Sequence, residues 1–111
     1  KKMILALGDP IGCPTVTYNS LTLNKFSFSE KYACILDWFA WYELASRNGS
    51  FFFINQTLML HRIHAASETS NLIKNGKRKL EETELLRKIW GKYFAKLLIA
   101  VYELGHKQNK V

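Results

Sequence analysis

The sequence predicts an α/β fold, an α+β fragment with short strands, one buried helix and one long C-terminal amphipathic helix. Three observations carry this. Cys13 to Tyr18, Phe51 to Ile54 and Leu58 to His64 are β-branched or aromatic runs of strand length. Asp37 to Asn48 sets Phe39, Trp41, Tyr42, Leu44 and Ala45 around most of a helix's circumference. Lys79 to Leu104 repeats its apolar residues at three- and four-residue steps.

In chain order, Lys2 to Leu7 reads as the last turns of a helix, stopped by Gly8, Asp9 and Pro10. Because KKMILALGDP opens with its apolar residues already in register, the sequence is expected to be a fragment. The strand CPTVTY follows, then a polar loop from Asn19 to Lys25 and a short turn at Ser29 and Glu30. Asn48-Gly49 ends the aromatic helix. Two strands joined by Asn55-Gln56-Thr57 come next, and Ala65 to Gly76 reads as a helical turn or a basic loop. In the last helix, Leu86, Ile89, Trp90, Tyr93, Phe94, Leu97, Leu98, Val101 and Tyr102 form the apolar stripe. Glu81, Glu82 and Glu84 crowd its first turns, where acids favour the positive end of the helix dipole. Gly91 is its weak point, costing about 1 kcal/mol relative to Ala, and Gly105 closes it.

The chain has 111 residues, 48% of them hydrophobic, which is enough for one small core. Aromatics at 14% and few Pro or Gly exclude a disordered composition. A net charge of +7 suits anionic partners: nucleotide diphosphates, nucleic acid or an acidic membrane face. Much of that excess sits in Lys74 to Lys79 and the last third, where a solvated helix face accounts for most of it. Cys13 and Cys34 have no metal-ligand spacing; a reduced cytosolic setting explains them, and a single disulfide between them is left open. No apolar run approaches the roughly 20 residues that span a bilayer. Asn48-Gly49-Ser50 and Asn55-Gln56-Thr57 match glycosylation sequons but read as turns.

Two places carry chemistry. Asp37 opens the aromatic helix after Ala33, Cys34, Ile35 and Leu36, and precedes Trp38. A lone acid at a helix start is ordinarily a cap. At the edge of a core it also fits a general base that takes a proton from a hydroxyl. On a strand, Arg62 and His64 share one face while His61 and Ile63 share the other. Arg with His at that spacing suits a diphosphate or a metal bound to one. A strand end meeting solvent accounts for the same two side chains, and spacing alone favours that plainer account.

LDW, LASRNGSFFFI and LHRIHAASET, in that order and spacing, resemble the acceptor-side half of the family 2 glycosyltransferases of GT-A type. The resemblance runs roughly from Gly12 to Tyr102, with CPTVTYNSL similar to the strand before the acceptor loop. It implies that residues 1–78 are the acceptor-side part of a catalytic domain and 79–111 a helical tail. By resemblance, Asp37 is the catalytic base and Trp38 shapes the acceptor pocket. Arg62 and His64 contact the donor diphosphate, His64 is a ligand for Mg²⁺ or Mn²⁺, and Thr69 and Ser70 lie on a closing loop. The implied partners are a nucleotide-sugar donor and a glycan or lipid-linked acceptor, at a cytoplasmic site with peripheral membrane contact. Departures are plain: Leu36 stands where many members have Glu, and neither the Asp-x-Asp metal motif nor the nucleotide-binding strands are present. The chain alone is therefore expected to be inactive.

The alternative is a non-enzymatic basic helical module that binds nucleic acid or forms a homodimer through Lys79 to Leu104. Against nucleic acid, the basic residues do not interleave with exposed aromatics on one face, and no nucleic acid partner is expected.

Overall fold

The computed structural model describes residues 1–60, 62 and 76–108, with side chains to residue 103 in the last helix. These residues form helices α1 (Lys2–Leu7), α2 (Leu36–Leu44) and α3 (Lys77–Gln108), with a 3₁₀ turn at Cys13–Thr15. No strand occurs among the described residues, which overturns the expected α/β class. Cys13–Thr15 is a 3₁₀ turn because Pro14 brings the fixed φ of a helical first turn and no N–H for a ladder. Residues 51–60 have no regular structure beyond a bend at Gln56. Among the described residues their β-favouring side chains have no neighbouring strand to pair with, and propensity does not build a strand without one. The remainder of the second expected strand, with His61 and His64, lies outside the described residues, as do Thr69, Ser70 and Lys74.

α2 is the central element. Trp38, Phe39, Ala40 and Trp41 are all buried, and four consecutive residues cover every side of a helix. One side meets Leu5 of α1 and Ala45, with Phe26 and Phe28 packed outside; Phe28 stands edge-on to Trp41 at 5.9 Å. The other side places Trp38 and Phe39 against Leu85, Leu86 and Ala95 of α3, with Tyr32 edge-on to Phe39 at 5.1 Å. The helix ends by Ala45, earlier than Asn48, and Lys1 donates to the Arg47 and Gly49 carbonyls beyond it at 3.0 and 2.7 Å.

α1 is only six residues long, so most of its carbonyls lack intrahelical partners. Aromatic donors supply them. Trp38 Nε1 donates to the Leu5 carbonyl at 2.6 Å, Trp90 Nε1 to the Ala6 carbonyl at 2.7 Å, and the Tyr102 hydroxyl to the Leu7 carbonyl. One short helix end thereby holds α2 and two points along α3, one at its middle and one near its C-terminal end. Gly8 follows because a Cβ there would run into the Tyr102 hydroxyl.

α3 is not the continuous helix that its periodicity implies. Gly91 adopts φ 77° and ψ 174°, a region that L side chains avoid. A straight 32-residue helix would be about 48 Å long, more than the molecule's largest dimension of 40 Å. The halves fold back on each other, and Lys79 of the proximal limb (77–90) meets Glu103 of the distal limb (92–108) at 2.5 Å. Leu85, Leu86 and Ala95 are sealed in this arrangement, with Ile89, Leu98 and Ile99 packed around them.

The three glutamates do other work than complementing a helix dipole. α3 begins at Lys77, so Glu81 lies in its second turn. Its carboxylate is buried and accepts the Ala33 and Cys34 backbone N–H groups at 3.1 and 2.7 Å. Glu82 accepts from Arg78 at 2.8 Å, and Glu84 pairs with Lys31 at 2.5 Å.

Candidate functional site

Asp37 occupies the first turn of α2 and is half-buried. Its Oδ1 accepts the N–H of the adjoining Trp38 at 2.8 Å, so the carboxylate satisfies a donor of its own helix start. The N-cap residue of the helix, Ile35, provides no side-chain cap. Position is set from outside: Glu81 grips the Ala33–Cys34 backbone, and Ile35 and Trp38 are anchored in the core on either side.

The Asp37 charge is felt at Asp9 and at Arg78, and these three groups make up a charged corner defined by that electrostatic coupling. Asp9, beyond the end of α1, has its carboxyl raised to about 6. Partial burial is the largest cause; the Ile11 N–H, at 3.1 Å from Oδ1, opposes it, the Asp37 charge adds to it, and Arg78 offsets it. Desolvation is the largest single influence on the Arg78 guanidinium and opposes its charge, but Glu82, Asp37 and Asp9 together outweigh it and hold the charged form. Burial pushes the Cys13 thiol up, as do Asp37 and Asp9, so this exposed cysteine is no activated nucleophile. Burial likewise raises the Tyr102 hydroxyl, with Glu82 and Asp9 adding to it. Cys34 is also a free thiol, raised by burial and by Glu81.

Of the expected site residues, Trp38 lies beside Asp37 in sequence, but its indole is buried and donates to the Leu5 carbonyl. It supports the corner from behind and offers no open face for an acceptor. Arg62 is exposed, outside any regular element, and is not among the charges that bear on Asp9, Cys13 or Arg78. His64 lies outside the described residues. No group of three or more His, Cys, Asp or Glu side chains that could hold a metal ion occurs among the described residues. Those residues do not fit a bound Mg²⁺ or Mn²⁺, which takes several oxygen ligands and would compete with Arg78 at this corner.

Asp9, Arg78 and Glu81 are the residues that sequence reasoning passed over. Asp9 reads as a turn residue and Arg78 as part of a solvated loop, and only the fold couples them electrostatically to Asp37. Glu81 left a signal: it stands four residues before Leu85, on the stripe that α3 buries.

No protein-family model matches the chain, no curated protein matches its sequence, and no solved structure matches its fold.

Proposed function

We propose that this chain is the acceptor-side portion of a longer, nucleotide-sugar-dependent inverting glycosyltransferase of family 2, with Asp37 as its catalytic base. The supporting observation is the half-buried carboxylate of Asp37 on the first turn of the aromatic helix α2, electrostatically coupled to Asp9 and Arg78. The resemblance of LDW and LHRIHAASET to that family stands beside it.

In this reading Asp37 accepts the proton of an acceptor hydroxyl as its oxygen attacks the anomeric carbon. The bond from that carbon to the donor phosphate breaks on the opposite face, and the nucleoside diphosphate leaves with the bonding electron pair. Arg78 adds positive charge to the same corner. The divalent metal is assigned to the donor half of the parent protein, because the described residues supply no ligand set for it. By itself the chain turns over no nucleotide sugar.

The test uses the full native gene product and a panel of radiolabelled nucleotide sugars, with a lipid and glycan extract of the source as acceptor. General base removal costs about 10²- to 10⁴-fold, so Asp37→Asn should lose at least about 100-fold in transfer while keeping the helical content of the parent. Near-normal turnover by that variant would end the base assignment. A coding sequence upstream of Lys1 that leads to an unrelated domain would end the transferase reading itself.

A further inference from the structure

We propose that the outer face of the distal limb of α3 is a docking surface for an anionic membrane, lying on the lipid without crossing it. The observation is a helix with two apolar faces. Ala95, Leu98 and Ile99 turn inward to the core. Tyr93, Leu97 and Val101, at four-residue steps, turn outward and are 87%, 59% and 59% exposed, with Phe94 beside them. The core does not use this second face.

Charge selects the occupant. Residues 85–102 contain Arg87, Lys88, Lys92 and Lys96 and not one Asp or Glu. All four cations are exposed, and they gather on both sides of the Gly91 reversal, within five residues of it. Lys92 and Lys96, four apart, form one rim of the outward apolar face. A second copy laid antiparallel on that face would set this cationic rim against its own counterpart, and Glu103, the nearest acid on the rim, is already paired with Lys79 within the chain. Nucleic acid would take the cations but leave Leu97 and Val101 wet. An anionic lipid surface takes both, the apolar residues entering the acyl boundary and the cations meeting the headgroups. Tyr93 has the apolar body and polar tip that suit this boundary. Among the described residues no helix is long and apolar enough to cross a membrane, so contact is at the surface.

Flotation of the 111-residue chain with vesicles tests the proposal. The wild type should float with phosphatidylcholine vesicles containing about 30 mol% phosphatidylglycerol at about 0.1 M NaCl. Recovery should fall by about 10-fold on pure phosphatidylcholine, and similarly at about 0.5 M NaCl, where surface charge is screened. Leu97→Glu, and separately the pair Lys92→Glu and Lys96→Glu, should each lose about 10-fold while keeping wild-type helical circular dichroism. Those side chains are exposed, so the variants leave the core intact. Asp37→Asn should float like the wild type, because the surface does not depend on the transferase reading. Failure of the wild type to float, or undiminished flotation of Leu97→Glu, would overturn the proposal. So would a dimer that Leu97→Glu dissociates and that ignores lipid. Flotation of the chain but not of the native gene product would show the face covered within a longer protein, with the same consequence.

Discussion

Trp38, Trp90 and Tyr102 each look like core filler in the sequence, yet each spends its polar atom on a consecutive carbonyl of α1. Trp41 is the contrast: its indole N–H is buried with no acceptor among the described residues, a desolvation cost that its packing offsets. Asp9 is the residue at which pH acts on the fold. Above about 6 its carboxylate is charged in both folded and unfolded chains, and partial burial works against the folded one. Between 3.8 and about 6 the folded protein binds a proton that the unfolded chain lacks, so stability rises as pH falls through that window. A shift of that size corresponds to about 3 kcal/mol if fully expressed. Asp9 is largely exposed as a residue, so screening by solvent reduces it to about 1 kcal/mol. Asp9→Asn keeps an acceptor for the Ile11 N–H and should raise stability at pH 7.5 by about that amount, flattening this part of the pH profile. Urea titrations of both proteins across pH 4 to 8 would measure it; an unchanged slope would rule out Asp9 as its source.

At the scale of the element, α2 and α3 depend on features that helical periodicity does not display. The backbone before α2 is fastened by Glu81 on α3, through two charge-assisted bonds to Ala33 and Cys34. Glu81→Ala should cost about 2 kcal/mol and speed hydrogen exchange at those two amides, while Glu81→Gln keeps one acceptor oxygen and should cost less. Equal protection of both amides in the alanine variant would refute this. Gly91 decides the path of α3. A side chain at φ 77°, ψ 174° is strained, whereas the apolar contacts of Ala95, Leu98 and Ile99 hold the hairpin closed. Gly91→Ala should therefore lower stability by about 2 kcal/mol in urea without changing helical content. If the limbs straightened instead, scattering would show a radius of gyration well above 15.1 Å, and the account of the hairpin would fail.

At the scale of the whole molecule, the core lies around α2, and a long uncharged stretch lies outside it. Phe52, Phe53 and Leu60 are 88%, 82% and 94% exposed in a segment of irregular backbone with no ladder partner among the described residues. Unpaired, apolar and β-favouring backbone of this kind is prone to strand-to-strand association. The chain should self-associate as concentration rises despite its net charge of +7. Phe52→Lys combined with Leu60→Lys should suppress that in sedimentation velocity. Concentration-dependent mass that survives both substitutions would place the contact elsewhere.

The sequence by itself determined the helices that rest on local signals. The end of α1 at Gly8, the aromatic helix opening near Asp37 and the amphipathic stretch of α3 are all legible, because capping, breakers and apolar spacing act within a few residues. It placed Asp37 correctly on a helical first turn at the edge of the core. Tertiary structure alone decided the rest. β-branched and aromatic runs at Cys13 to Tyr18 and Phe51 to Leu60 are half of a strand signal, and the other half is a partner that the described residues do not provide. The reversal at Gly91, the burial of Glu81 and the electrostatic coupling of Asp9, Asp37 and Arg78 depend on contacts across tens of residues. Such contacts are fixed by which apolar faces find each other, and an alternating or periodic pattern names the face without naming its partner.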